Sequence, residues 1–252
     1  MLAGTTGEWF SLSPPERKAL FAAAAAQLKG RLPLIAGCNA FHVDEVVDLA
    51  EAAADHGLDG LLITPPPYVR LNEDDTYAFY SAISDRVRVP ICVYNWPPGT
   101  GWTSASRSWS GSPARNGGRH QELTGKMDGF VASAFGLNDR VRVFGLSMDA
   151  FGAVLATAGV AEGTMGAGAV LGRDQPAFYD RLWAGDVEGA VAVGQNDRRL
   201  MRDWFTSDLT GKFGSAQAIL KTALNLQGLP GGIVREPLRP CRPTAWRRWR
   251  AP

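Results

Sequence analysis

Short apolar runs alternate along the chain with segments whose apolar residues recur at helical spacing. The runs at 32–37, 60–68 and 89–98 are rich in strand-forming residues, and glycine or proline ends each of them. The segments 43–57 and 72–87 have the apolar periodicity of helices, and the second begins with asparagine followed by acidic residues. The pattern therefore predicts strands and helices in alternation.

The same unit recurs in the later part of the chain. A strand is predicted at 141–145, a helix at 148–159 and a further strand at 162–168, whereas 175–227 is predicted to form two or three helices. Strand–helix–strand units of this length require parallel strands with helical crossovers. A doubly wound sheet and a (β/α)8 barrel both satisfy this pattern, but no GxGxxG follows the first strand.

Polar residues, glycines and prolines gather directly after the predicted strands. The stretches are GTTGE, GCNAF, TPPPY, YNWPPGTG and FGLSM. In a parallel barrel these positions form the carboxyl-terminal face, where active sites lie. This distribution favours a barrel enzyme with its site at that face.

Composition narrows the class of protein further. The 252 residues suit a single α/β barrel, and a net charge of +1 gives no reason to expect a nucleic-acid or membrane partner. Three scattered cysteines and three histidines form no disulfide framework and no metal-binding motif. The start, MLAGTTGEWF, lacks the features of a signal peptide. We therefore expect a soluble cytoplasmic protein without a metal or other cofactor.

Four motifs carry a resemblance to a known family. GTTGEW, PLIAG, TPPPY and YNWPPGTG, in this order and spacing, resemble the dihydrodipicolinate synthase / N-acetylneuraminate lyase family, and the resemblance extends from Gly4 to about Pro240. It implies a (β/α)8 TIM barrel that joins a lysine to a 2-oxo acid, usually pyruvate, as a Schiff base. It also implies a small-molecule substrate, no cofactor, and assembly into a homo-tetramer or dimer.

The resemblance assigns three residues to the reaction itself. Tyr94 of YNWPPGTG matches the catalytic tyrosine, which transfers protons at the imine. Thr6 matches the threonine that hydrogen-bonds this tyrosine in a relay, and Thr5 matches the contact to the substrate carboxylate. Packing would explain Tyr94 equally well without the motif, and turn or capping roles would explain both threonines.

Three further positions are assigned to the surroundings of the substrate. Gly145 and Met165 fall where the family lines its pyruvate pocket, although Gly145 also suits a backbone requirement and Met165 a core position. Tyr68 matches the relay tyrosine that a neighbouring subunit contributes, with one extra residue in TPPPY.

The sequence departs from the family pattern in two places along the barrel. Gly99 occupies the place of an arginine that binds the second substrate's carboxylate, so we expect a different second substrate. GTTGE, which normally ends the second strand, lies at the start of the chain, so seven strand positions are counted. The expected fold is a single TIM-barrel domain at 1–240 that lacks the first strand and helix and carries extra carboxyl-terminal helices.

The third departure concerns the Schiff-base lysine. Alignment on Thr124 and Gly125 places Gln121 at the lysine position, and glutamine has no nucleophilic amine. Lys126 is a weak substitute, because five residues along a strand reverse the face and displace the residue by roughly 16 Å. We therefore expect little or no Schiff-base chemistry in this chain.

The stretch before Gln121 is anomalous in composition. Residues 102–121 contain no Asp, Glu, Val, Leu or Ile, so they offer no apolar face to a helix or strand. One interpretation is a basic loop, with Arg107, Arg115 and Arg119, that binds phosphate or nucleic acid; another is a disordered insert. A third is out-of-frame translation of 102–123 and of the basic tail 241–252, because a shifted reading of codons for 118–123 gives Val-Ala-Ile-Lys-Asn-Ser.

Three functions follow from these observations. The first is a dihydrodipicolinate synthase-like lyase or aldolase that acts on a 2-oxo acid, impaired by Gln121. The alternatives are a non-catalytic protein that binds a 2-oxo acid or sugar acid, and a basic-loop module that binds phosphate or nucleic acid.

Overall fold

The computed structural model describes residues 1–101, 119–122, 127–139, 141–164, 172–206 and 211–241. Within these residues helices and strands alternate through the first two thirds of the chain. The strands are β1 (Ile35–Gly37), β2 (Gly60–Ile63), β3 (Ile91–Asn95), β4 (Arg119–Glu122) and β5 (Arg142–Phe144). The helices are α1 (Pro14–Leu28), α2 (Val43–Asp55), α3 (Glu73–Ser84), α4 (Pro97–Thr100), α5 (Met127–Leu137), α6 (Ala150–Thr157), α7 (Asp174–Trp183), α8 (Val187–Trp204) and α9 (Ala216–Leu226), and a 3-10 turn spans Trp9–Ser11.

The chain divides into two compact units. The first contains Met1–Gly145 and Ala158–Met165, and the second contains Leu146–Thr157 and Gly166–Pro252. The interpretation of residues 1–240 as one domain stays a prediction.

A parallel sheet forms the centre of the first unit. Its five strands are paired in the consecutive order β1-β2-β3-β4-β5, without the reversal of order that marks a doubly wound sheet. Parallel bridges from Leu2 to Ala36 and from Phe144 to Gly163 extend the pairing on both sides. Among the described residues, the five strands and the two bridges give seven positions paired in chain order. The absence of the barrel's first strand and helix stays a prediction.

The helices that cover this sheet begin at local signals in the sequence. Ser13 and Glu16 form a capping box at the start of α1, and the Asn72 side chain accepts a hydrogen bond from the Asp75 amide at the start of α3. The main core lies between these helices and one face of the sheet, and includes Phe21, Val46, Leu49, Leu61 and Ile63. The helices predicted at 43–57 and 72–87 are confirmed as α2 and α3, whereas α1 was not predicted.

The strand β4 forms in a segment of polar sequence. Its residues pair with β3 on one side and β5 on the other, which confirms the predicted strand position around Gln121. Backbone hydrogen bonds hold a strand whatever side chains it carries. Residues 102–118 lie outside the described part of the chain.

Helices dominate the second unit. Helices α7, α8 and α9 fall within the region predicted to contain two or three helices. Around α9 a small core includes Phe205, Ile219, Val234 and Cys241. Residues 242–252, most of the predicted basic tail, lie outside the described residues. In the described part of the chain, no helix has the length and apolar character needed to span a membrane.

A half-buried carboxyl group lies within α8 of this unit. The pKa of Asp197 is raised, first because burial removes water from its charge and then because Asp149 and Asp174 lie near it. Asp149 is itself paired with Arg198 at 2.6 Å. An acid whose folded-state pKa is raised disfavours folding when it is ionised. At neutral pH the charge of Asp197 therefore destabilises the second unit.

Asp197→Asn is expected to raise the melting temperature at pH 7. The protonated acid is already favoured in the folded state, so the gain should shrink as the pH falls and vanish below about pH 4, the usual pKa of an unfolded aspartate. Thermal unfolding at a series of pH values measures this. Asp180→Asn, which removes an exposed charge from α7, is the control. A melting temperature at pH 7 that is unchanged or lower would contradict the prediction.

Candidate active site at the carboxyl ends of the parallel strands

Thr5, Thr6 and Tyr94, three of the predicted site residues, lie at the carboxyl-terminal edge of the first unit's sheet. A tight turn of residues 4–8 follows the Leu2 bridge, and α4 follows β3. Because the paired segments are parallel, the loops that follow them meet at the same edge.

Tyr94 is the central residue of this edge. It lies in β3 with only 5% of its surface exposed, and the Thr5 hydroxyl donates a hydrogen bond of 3.4 Å to its phenol oxygen. Burial raises the pKa of Tyr94 to about 12, while the hydrogen bond from Thr5 lowers it and the nearby Cys92 raises it. The phenol is therefore neutral at physiological pH and able to donate a proton.

The structure corrects which threonine forms a hydrogen bond with Tyr94. The family resemblance predicts Thr6 as the partner, but in the structure the Thr5 hydroxyl makes this hydrogen bond. The turn that carries them is tight, since a Cβ at Gly7 would lie 3.0 Å from the Gly4 nitrogen. Adjacent side chains on such a turn point in different directions, so one threonine reaches the phenol. Contacts of Thr5 or Thr6 with a substrate carboxylate stay predictions.

The position assigned to the Schiff-base lysine lies directly beside Tyr94. In the parallel register Tyr94 is paired with Gln121 of β4, and Gln121 with Phe144 of β5. The backbone therefore brings position 121 next to Tyr94 in the sheet, and the residue there is glutamine. Lys126, the weak substitute, and Met165, the predicted pocket residue, both lie outside the described residues.

The structure places Gly145 at the end of β5 and Tyr68 on an exposed part of the loop after β2. Gly145 follows β5 with φ of +132°, a conformation that favours glycine, and its amide donates to the Gly163 carbonyl at 2.8 Å. This geometry supports the backbone interpretation of Gly145. The Tyr68 side chain is 92% exposed on a residue with φ of +80°. Its role in a neighbouring subunit's site stays a prediction.

A buried arginine that the sequence analysis missed braces this edge. The Arg17 guanidinium, only 2% exposed, donates to the Asn39 carbonyl at 2.6 Å and to Glu45 at 2.8 Å. It also lies 5.8 Å from the centre of the Trp9 ring. The Asn39 side chain in turn accepts from the Thr64 amide at 2.9 Å. Three successive loops at the carboxyl-terminal edge are thereby linked.

A signal for this arginine was present in the sequence. Arg17, Phe21 and Ala24 recur at helical spacing and form the buried face of α1. A charged residue at such a position needs a partner, because an unpaired charge is not stable in a core. Burial lowers the pKa of Arg17, and Glu45 opposes the shift.

Metal binding has no support in the part of the chain that the structure describes. There, no three or more His, Cys, Asp or Glu side chains are grouped as metal ligands.

The sequence of this chain is similar to those of known dihydrodipicolinate synthases. Residues 1–106 match the model of the Dihydrodipicolinate synthetase family. A 4-hydroxy-tetrahydrodipicolinate synthase of Halalkalibacterium halodurans is 27% identical over 250 residues, which are 95% of this chain and 79% of the relative. The corresponding enzyme of Corynebacterium aurimucosum is 38% identical over 101 residues, which are 40% of this chain and 33% of the relative.

Solved structures of dihydrodipicolinate synthases have the same fold as this chain. Dihydrodipicolinate synthase from Aquifex aeolicus superposes with a TM-score of 0.87 at 24% identity, covering 99% of this chain and 83% of that one. The chloride-inhibited synthase from Acinetobacter baumannii, solved in complex with pyruvate, has a TM-score of 0.84 at 24% identity over 98% and 83% of the two chains. The predicted α/β class is confirmed, and the structural neighbours are TIM-barrel proteins.

The chain is an α/β protein whose solved structural neighbours are dihydrodipicolinate synthases. Over residues 1–106 the chain is similar to the Dihydrodipicolinate synthetase family, and over most of its length it is similar to 4-hydroxy-tetrahydrodipicolinate synthases at 27% identity.

Tyr94 is expected to remain protonated at about pH 10, where an ordinary tyrosine is half ionised. Its pKa of about 12 follows from burial, so Tyr94→Phe should leave the phenolate absorbance at that pH unchanged. Spectrophotometric titration of both proteins measures the difference, with Tyr77→Phe as the control at a more exposed tyrosine. A loss of phenolate absorbance in Tyr94→Phe at pH 10 would show that burial does not control this phenol.

Arg17→Met should lower the free energy of unfolding by about 2–4 kcal/mol, because it removes two hydrogen bonds from a buried cation and leaves Glu45 without this partner. Denaturant unfolding measures the change. Lys18→Met on the same helix removes the solvent-exposed ion pair with Asp48 and should cost about 0.5 kcal/mol or less. Equal losses in the two variants would refute the bracing role.

Proposed function

We propose that this protein binds a 2-oxo acid of the pyruvate type beside Tyr94 and Thr5, and that it derives from lyases or aldolases that act through a lysine Schiff base. The observation that carries the proposal is the Thr5–Tyr94 hydrogen bond next to position 121 in the register of β3 and β4. We further propose that covalent chemistry is impaired in this chain, because position 121 is glutamine.

The chemistry of Schiff-base formation explains why the residue at position 121 determines the activity. Schiff-base formation requires a neutral amine that attacks the keto carbon, followed by loss of the carbonyl oxygen as water. A neutral phenol beside the reacting carbon donates the proton that this water needs, and Tyr94 has that protonation state. A glutamine amide nitrogen has no available lone pair for the attack. Tyr94 and Thr5 retain the proton-transfer part of the reaction, and the nucleophile is missing.

The known relatives support the substrate class. The curated relatives are named 4-hydroxy-tetrahydrodipicolinate synthases, and the Acinetobacter baumannii synthase was solved with pyruvate. At the place of the family arginine this chain has Gly99. We therefore propose pyruvate or a similar 2-oxo acid as the first ligand. The residues around Trp96 are proposed to determine which second ligand binds.

A second candidate function is binding without catalysis. Gln121 favours it, because an amide can hydrogen-bond a 2-oxo acid or sugar acid that it cannot attack. The basic-loop alternative rests on Arg107 and Arg115, which lie outside the described residues, and on Arg119, whose backbone belongs to β4.

Three finer proposals accompany the main one. Residues 102–123 and 241–252 are proposed to be out-of-frame translation, and an intact gene sequence that encodes them would refute this. The eighth strand position of a TIM barrel has no counterpart among the seven paired positions of the described chain. A homo-oligomer in a reducing cytoplasm is proposed, in keeping with the buried free thiols of Cys38, Cys92 and Cys241.

Borohydride trapping with pyruvate tests the proposal. The protein as it stands should gain no covalent adduct, whereas Gln121→Lys should gain the mass of one reduced pyruvate on residue 121. Adding Tyr94→Phe to Gln121→Lys should slow trapping about 100-fold, since a general acid is lost. Gln27→Lys adds a lysine at an exposed site of α1 and should give no adduct.

Calorimetry with pyruvate separates the possible results. Binding without an adduct in the unmodified chain supports a non-covalent site, whereas an adduct on that chain refutes the impairment. If Gln121→Lys is folded and neither binds nor traps pyruvate, the proposed function is wrong.

A further inference from the structure

We propose that Trp96 determines the second ligand of this site, and that it selects an aldehyde with a flat apolar group, such as an aromatic aldehyde, over one that carries a carboxylate. The inference rests on the proposed function, because it concerns the same site. It depends on four structural observations around α4.

The Trp96 indole lies against the proposed proton donor. Trp96 directly follows β3, and its ring stacks on Tyr94 with a centroid distance of 6.2 Å and an interplanar angle of 21°. It packs against the inner cluster of Leu62, Cys92 and Tyr94. The indole is only half-buried, so part of it is accessible at the carboxyl-terminal edge. A ligand that reaches the Tyr94 phenol from this side therefore meets the indole.

The indole also occupies the space above Gly99. A Cβ at position 99 would lie 2.5 Å from Cδ1 and 2.7 Å from Nε1 of Trp96. The backbone of this turn is fixed, because the amides of Gly99 and Thr100 both donate to the Trp96 carbonyl, as does the Thr100 hydroxyl. The present indole position and a side chain at position 99 therefore exclude each other.

This exclusion removes a cation from the site. The resemblance implies an arginine at position 99 that binds a carboxylate, whereas this chain has glycine there, with the Trp96 indole in the space of a side chain. A carboxylate at the face of the indole would meet the negative side of its π system. The position that would recognise an anionic ligand is thus converted into an apolar aromatic surface.

Arg70 is a second residue that could bind a ligand carboxylate, but an exposed ion pair contributes less to affinity than stacking on Trp96. Its Nε would lie 2.9 Å from a Cβ at Gly101, at the end of α4 opposite Trp96. The Arg70 side chain is exposed to solvent, where an ion pair contributes little. Stacking of aromatic rings adds about threefold to tenfold in affinity beyond the burial of area. The indole therefore dominates the choice of ligand.

Binding of two aldehydes of opposite character tests the proposal. Dissociation constants of benzaldehyde and succinic semialdehyde are measured by saturation-transfer NMR, with and without pyruvate. The protein should bind benzaldehyde at least about threefold more tightly than succinic semialdehyde. Trp96→Val should abolish this preference, and Trp96→Phe should keep most of it, which controls for disruption of the fold.

A double variant and a control complete the experiment. Trp96→Val/Gly99→Arg clears the indole and supplies the cation, so it should prefer succinic semialdehyde. Trp183→Val removes an exposed tryptophan from the second unit and should change neither constant. Preference of the unmodified protein for succinic semialdehyde, or a benzaldehyde preference that survives Trp96→Val, overturns the assignment.

Separate measurements distinguish a failure of the proposed function from a failure of the role of Trp96. Pyruvate binding is measured by calorimetry on the same proteins. If pyruvate does not bind but the aldehyde preference and its loss in Trp96→Val are as expected, the proposed function is wrong and the role of Trp96 stands. If pyruvate binds and the preference is absent, only the role of Trp96 is refuted.

Discussion

Consecutive parallel pairing is the constraint on which the site depends. The register from Leu2 through β1, β2 and β3 brings the loops after each strand to one edge, where Thr5 meets Tyr94. Side chains alternate between the faces of a strand, so a slip of one residue in β3 would turn Tyr94 away from the inner cluster. The buried Arg17 maintains this arrangement by tying the loop after β1 to α1 and α2.

Much of the framework could be predicted because it depends on periodic burial. The apolar runs of β1, β2 and β3 and the amphipathic helices between them are encoded locally, and Tyr94 follows from a motif tied to a strand end. The threonine roles were not predictable in the same way. A motif fixes where a turn lies, but the direction of each side chain depends on the tight backbone geometry of residues 4–8.

Residues that act across the fold were the hardest to anticipate. Arg17 was missed because a charge is ordinarily expected at the surface, and its partners Asn39 and Glu45 are 22 and 28 positions away. Conversely, β4 was anticipated from the alignment alone, although its own residues are polar. The ladder between β3 and β5 supplies backbone partners to whatever residue occupies position 121, so the strand forms there independently of its side chains.

The close approach of Trp96 to Gly99 also limits how this site can change over time. With the indole in its present place, a Cβ at position 99 would lie 2.5 Å from its Cδ1, so a substitution of Gly99 requires the indole to shift. The two positions are therefore sterically coupled, and a larger residue at position 99 is accommodated only together with a change in the position or identity of residue 96.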